Sequence, residues 1–234
     1  HKTSSRLLAM LLSLILVIGV LPTMVFADGY VAYIGNAGYT TLEDAVSNAA
    51  PGATILLTAD DSTEQQIEIS ENLSIELDGH SLPSTAFKIT AGTVTIGDRK
   101  GTGIINGEHA AGFVATENSR CSSSIYVTGT ANVTLNNLRV EQCAEDDLEK
   151  AIFLGGSASL TINGGNYTGP KDAGVDAIFY YNNNTSSSLT INDGHFEANC
   201  ALSVNKTPGT GGGTLVIRKA TFVGNGTAFW IEQE

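Results

Sequence analysis

One short pattern recurs along this chain: two alternating apolar residues, a polar turn, then one more apolar residue. It reads Ile75-Glu-Leu-Asp-Gly-His-Ser-Leu82, Val133-Thr-Leu-Asn-Asn-Leu-Arg-Val140, Leu160-Thr-Ile-Asn-Gly-Gly-Asn-Tyr167, Leu189-Thr-Ile-Asn-Asp-Gly-His-Phe196 and Leu215-Val-Ile-Arg-Lys-Ala-Thr-Phe222. Val94-Thr-Ile96 carries the first half and then diverges. A unit this small cannot bury its own apolar face, so its copies must stack on one another. That requirement constrains the fold more than any other feature of the sequence.

A second series lies between these units: Ala151-Ile-Phe-Leu154, Ala177-Ile-Phe-Tyr180, Ala201-Leu-Ser-Val204 and Ala228-Phe-Trp-Ile231, with starts 26, 24 and 27 residues apart. Ile125-Tyr-Val127 precedes the first of them by 26 residues. Each period thus holds about three strands and three turns, and no regular series of two-residue hairpin turns is present. Strands that pair in parallel with their equivalents one period later fit this spacing. The expectation is an all-β chain wound as a right-handed parallel β-helix solenoid with a short N-terminal capping helix.

Stacking assigns residues to columns. Leu160, Leu189 and Leu215 form one inward column and Ile162, Ile191 and Ile217 the next, with Tyr167, Phe196 and Phe222 as an aromatic stack. Asn136, Asn163 and Asn192 fall at a turn, where amides can bond up and down the stack; Asp78 and Arg218 break that ladder. The cap is predicted over Thr40–Ala50, with Thr40 and Glu43 at capping-box spacing, Leu42, Ala45, Val46 and Ala49 on one face, and Pro51-Gly52 as the stop. Such a helix covers the open apolar end of the first layer.

The chain begins differently. Lys2 and Arg6 precede an apolar run over 7–21, followed by Pro22 and by Val25 and Ala27 at the positions a signal peptidase reads. This predicts a signal peptide over 1–27, a strand and capping helix over 28–53, and β-helix coils over 54–234. The 15-residue run is shorter than a membrane span, so no span is expected after cleavage. Ala228-Phe-Trp-Ile231 starts another coil without a cap, which predicts further coils beyond Glu234.

All 24 acidic residues lie after position 27 against ten basic ones, a net charge of −14 for that part. This excludes nucleic acid and anionic membrane surfaces as natural partners. Cys121, Cys143 and Cys200 are too few for a disulfide scaffold; one bridge of unassigned pairing is possible, and small buried thiols are the simpler expectation. Binding surfaces are expected on the excursions 118–124 and 144–150 and on the segment 97–103.

The cap helix, the asparagine-bearing coils and the Leu-Thr-Ile-Asn-x-Gly-x-Phe rhythm resemble the pectin-lyase-like β-helix superfamily, in the form seen in exported bacterial surface proteins. The resemblance covers roughly residues 33–231. It implies either a polysaccharide-cleaving enzyme or a non-catalytic surface stalk, and fold alone does not choose. The hydrolase branch implies clustered aspartates with Gly-His-Gly and Arg-Ile-Lys. Here Asp60-Asp61 and Asp146-Asp147 sit in predicted loops, Gly79-His80 and Gly194-His195 lack the second glycine, and Ile217-Arg218-Lys219 has another order.

The lyase branch implies carboxylates holding calcium and a basic residue that takes a proton beside a uronate. Asp98-Arg99-Lys100 reads more simply as a solvated turn, and Trp230-Ile-Glu-Gln233 keeps only two residues of a Trp-Ile-Asp-His motif. His80, His109 and His195 lack metal-ligand spacing. No catalytic residue, metal site or cofactor is therefore assigned, with calcium considered only under the lyase alternative.

Tyr180 and Tyr181 must point to opposite faces of a strand, which sets one of them outside beside Asn182-Asn-Asn184. Tyr180, Tyr181 and Asn182 are the candidate ligand-binding residues, for sugars. The expectation is a non-catalytic stalk or adhesin-like module, secreted or on a bacterial cell surface, presenting loops to polysaccharide or host or cell-surface protein. The alternative is a polysaccharide lyase or glycoside hydrolase whose active face lies partly beyond the C-terminus.

Overall fold

The computed structural model describes residues 29–107, 113–114, 122–141, 149–169, 171 and 175–232. The predicted signal peptide, Cys121, Cys143, His109 and Asp146-Asp147 lie outside the described residues. The chain is all-β, with seventeen strands in one sheet and a single short helix among the described residues. No helix among them is long and apolar enough to cross a membrane.

The first strand, β1 (Ala32–Ile34), pairs antiparallel with β2 (Ala37–Tyr39) on one side and with β3 (Ala53–Leu57) on the other. Between β2 and β3 lies α1 (Leu42–Ser47). Its N-cap is Thr41, not Thr40, and the Thr41 hydroxyl accepts from the Asp44 amide at 3.1 Å. The capping pair is therefore shifted by one residue from the predicted one. Only six residues are helical, because Asn48 already closes the turn onto Asp44 and Val46. Leu42 and Ala45 are fully buried in the core, and Val46 and Ala49 pack against it.

From β3 onward the strands fall into three parallel ladders. The first joins β3, β5 (Leu73–Glu76), β7 (Thr93–Gly97), the front halves of β11 (Asn132–Glu141), β13 (Ser159–Thr168) and β15 (Ser188–Asn205), and β16 (Thr214–Ile217). The second runs from Leu82 to β8 (Ile104–Asn106), then the second halves of β11 and β13, the middle of β15, and β17 (Thr221–Ile231). The third joins β4 (Gln65–Ile69), β6 (Thr85–Ile89), β10 (Ser122–Val127), β12 (Glu149–Leu154), β14 (Asp176–Tyr181) and the ends of β15 and β17. Outside the N-terminal strands, the antiparallel pairing is β9 (Phe113–Val114) with β10.

The register places like on like. Leu160, Leu189 and Leu215 are direct partners, as are Ile162, Ile191 and Ile217. The rings of Tyr167 and Phe196 stack with centroids 5.0 Å apart, and Phe196 stacks on Phe222 at the same distance. Each fully buried Leu, Ile or Phe of these columns gains about 1.5–3 kcal/mol over an exposed one. In the third ladder Ile125, Ile152, Ile178, Leu202 and Phe229 align. The second series of strands thus forms the third parallel ladder.

One register differs from expectation. The first unit enters the ladder two residues earlier than its sequence pattern implies: Leu73 and Ile75 oppose Val94 and Ile96, which oppose Val133 and Leu135. Leu77 is buried beyond the strand, and Asp78 (φ 48°) and Gly79 (φ 86°) make a wider corner before Leu82 rejoins the second ladder. Position 76, not 78, is therefore the equivalent of Asn136, with Gly97 between them.

Candidate functional site

The three residues expected to meet a sugar are not equally available. Tyr180 is fully buried, and its hydroxyl lies 2.8 Å from Ser187 Oγ; burial pushes its pKa up, against the pull of Ser187. Tyr181 is half-buried on the other side of β14, with its hydroxyl 3.1 Å from Thr207 Oγ1. Asn182 Oδ1 accepts from the Gly213 amide. Asn183 bonds Thr207 through both amide atoms, and Asn184 Nδ2 donates to Ser157 Oγ at 2.8 Å. The amides of this patch are thus engaged within the protein, and Tyr181 and Asn182 to Asn184 are all only partly exposed.

The acidic candidates are likewise structural. Asp61 is buried and accepts from the Leu42 amide at 2.7 Å, from Gln65 Nε2 at 2.8 Å and from the Thr63 amide at 3.0 Å. It therefore caps α1 from nineteen residues away. Asp98, expected in a solvated turn, is 1% exposed. Its carboxylate gathers the amides of Gly79 (2.7 Å), Lys100 (3.0 Å) and Gly103 (2.8 Å), because the wide corner would otherwise leave these donors unpaired. His80 lies 3.5 Å from Asp60, and His195 lies 3.3 Å from Glu197. Trp230 and Ile231 are exposed on the last strand.

A second polar cluster had no motif to announce it. Lys150 and Asp176 are register partners on the third ladder and form a 2.7 Å ion pair, with side chains only 3% and 8% exposed. Ser203 donates to Asp176 Oδ1 at 2.6 Å and lies 3.4 Å from Cys200 Sγ. Burial raises the Cys200 thiol pKa, so this sulfur is held as the unreactive thiol. Lys150 Nζ also sits 5.8 Å from the centre of the Phe179 ring. That ring stacks on Phe153, which meets Tyr126 edge-on, so the outward residues of this ladder make a small buried cluster of their own. The signal was present in the outward column of the repeat, where Lys150 and Asp176 follow one another one period apart. Among the described residues, no group of three or more His, Cys, Asp or Glu is placed to hold a metal ion.

The corner between the first and second ladders carries the expected amide ladder. Asn163 Nδ2 donates to Asn136 Oδ1 at 2.9 Å, and Asn192 Nδ2 donates to Asn163 Oδ1 at 2.7 Å. Arg218, expected to break the column, continues it by donating to Asn192 Oδ1. In the other direction the column stops at Gly97, which has no side chain to offer Asn136. A groove of about 340 Å³ opens there, bounded by Glu76, Asn136 and Arg99 and bedded on the hydroxyls of Thr54, Ser74 and Thr95. At its rim Arg99 pairs with Asp78 at 3.1 Å, and Lys100 pairs with the same carboxylate at 3.3 Å. Desolvation opposes ionisation of Asp78, but the Lys100 and Arg99 cations outweigh it and hold its carboxyl below the usual value.

No family model, curated protein or solved structure matches this chain.

Proposed function

We propose that this chain is an exported, non-catalytic surface module, wound as a right-handed parallel β-helix of the pectin-lyase-like kind, that presents its outer side to glycans or proteins. The observation that carries the reading is the three-ladder register, in which each period from β7 onward contributes one strand to each ladder and equivalent side chains pair directly. Successive parallel strands of one sheet joined by crossovers are nearly always right-handed, which supports that hand. The seven strands of the first ladder, at roughly 4.8 Å each, give a rod about 29 Å long.

The non-catalytic reading is supported by how the polar groups are used. Asp98 is engaged by three backbone amides, Asp61 by two backbone amides and Gln65, and Lys150 is paired with Asp176. A general acid or base needs a proton-transfer site left open toward the substrate. The leader-like residues 1–27 and the net charge of −14 beyond them support export and an uncharged or cationic partner rather than nucleic acid.

The test is incubation with polygalacturonate and other uronate polymers in the presence of calcium, followed by ultraviolet absorbance for unsaturated products and by reducing-end analysis. The reading expects neither signal, together with retention of the chain on a glycan or cell-wall array. Release of unsaturated or hydrolysed sugar overturns it in favour of the lyase or hydrolase alternative.

A further inference from the structure

The interrupted amide ladder leaves two hydrogen-bonding groups facing each other across an empty layer. Asn136 receives Asn163 on its Oδ1, so its planar amide turns Nδ2 the opposite way, toward Gly97. Among the described residues, that Nδ2 has no hydrogen-bond partner. On the far side of the gap, Glu76 Oε1 accepts from the amides of Asp78 (3.1 Å) and Arg99 (2.9 Å), while Oε2 carries no hydrogen bond among the described residues and lies 3.6 Å from where a Gly97 Cβ would stand. Glu76, Gly97 and Asn136 occupy successive layers, so the backbones that carry acceptor and donor lie two strand spacings apart, about 9.5 Å, and the layer between them contributes no side chain.

We propose that this gap is a binding site for the acetamido group of an N-acetylated amino sugar. A trans secondary amide directs its N–H and its C=O to opposite sides. Such a group would donate to Glu76 Oε2 and accept from Asn136 Nδ2, restoring the ladder that the chain itself maintains through Asn163 and Asn192. The hydroxyls of Thr54, Ser74 and Thr95 then lie along the groove beside the sugar ring. A sugar bearing only hydroxyls lacks the opposed donor and acceptor on one rigid plane and does not complete the column. This inference rests on the glycan-presenting reading above and names its ligand class.

The chain supplies its own competitor. Gly97 does not have a left-handed backbone, and a Cβ there would meet Asn136 Cβ at 3.5 Å and Glu76 Oε2 at 3.6 Å, which are ordinary contacts. Gly97→Asn therefore starts an internal amide side chain at the gap from a Cβ that fits without strain. Asn136→Asp provides an independent variant, since it keeps the acceptor for Asn163 and removes the donor.

The experiment is calorimetric titration of the chain with the N-acetylglucosamine trimer and, as control, the glucose trimer of the same linkage. The expected result is binding of the acetylated trimer alone, weakened at least tenfold in both Gly97→Asn and Asn136→Asp, with melting temperature retained in the first. Undiminished binding in either variant, equal binding of the glucose trimer, or no binding of the acetylated trimer to the unaltered chain overturns the proposal. If the acetylated trimer fails while other glycans are retained on an array, the site assignment falls and the surface-module reading stands. Cleavage of a polysaccharide removes the reading itself.

Discussion

Phe196→Ala removes the middle ring of the aromatic column. Phe196 is fully buried and is stacked on both sides, on Tyr167 and on Phe222, with centroid separations of 5.0 Å and interplanar angles of 10° and 17°. A buried Phe truncated to Ala costs about 3–5 kcal/mol, from lost transfer energy and the cavity left behind. The site cannot collapse easily, because the backbone on either side is fixed in the second ladder. For a domain of this size each kcal/mol lowers the melting temperature by about 2–4 °C, so the drop is roughly 6 to 20 °C. Phe222→Ala is the internal control: it is only half-buried and has the exposed Phe229 as its outer neighbour, so its cost is less than half as large.

The assay is urea denaturation followed by far-ultraviolet circular dichroism, paired with hydrogen exchange. Stacked repeats lose cooperativity locally, and the exchange data locate the damage. Faster exchange is expected over β13, β15 and β17, with β4 and β6 spared. A loss below about 1 kcal/mol, or equal losses for the two variants, would refute a continuous ring column at these positions.

Asp98→Ala strips three backbone amides of their acceptor inside a corner. Charge-assisted bonds contribute about 1.5–3 kcal/mol each before compensation, so a loss of at least 3 kcal/mol is expected by denaturation, with Asp98→Asn intermediate. Lys150→Met leaves Asp176 buried without its cation and costs about 3–5 kcal/mol, whereas Lys150→Met with Asp176→Leu recovers most of the loss; no recovery in the double variant contradicts the pairing. Acid sensitivity follows from Asp193 and Glu197. The Lys219 hydrogen bond and the Gly194 amide lower the first carboxyl, and Lys171 with His195 lowers the second. Their stabilisation is complete above the ordinary carboxylate range and is lost as pH falls through their depressed folded values. A melting-temperature profile from pH 6 to pH 2 should therefore fall less steeply in Asp193→Asn than in the unaltered chain.

The columns were legible because side chains that stack must match in shape, and matching residues recur at a readable period. Leu160, Leu189 and Leu215 announce one another, as do Tyr167, Phe196 and Phe222. The first coil was misread by two residues at Asp78. Ile75-Glu-Leu77 and Leu73-Ser-Ile75 alternate equally well, and only the wider corner at Asp78-Gly79 decides between them. Asp61 and Asp98 look like loop acids in sequence, since each joins local donors to one amide nineteen residues away, Leu42 and Gly79 respectively, and that long-range partner is not readable from spacing. The ion pair of Lys150 and Asp176 lies between equivalent positions of successive periods rather than within a motif, so its signal is in the column of the repeat and in no local pattern. The open layer at Gly97 was legible only after the register was known, because a glycine signals a gap only when its column is identified.

Distances between spin labels placed along one outward column test the parallel stack most directly. In a cysteine-free background, labels at Thr54 paired in turn with Thr134, Thr161, Thr190 and Val216 follow the register of the first ladder over three, four, five and six layers. The expected distances rise in equal steps of about 4.8 Å, from roughly 14 Å to roughly 29 Å. Distances that fail to rise, or that alternate between short and long values as they would across antiparallel strands of a sandwich, would contradict the stack and everything built on it.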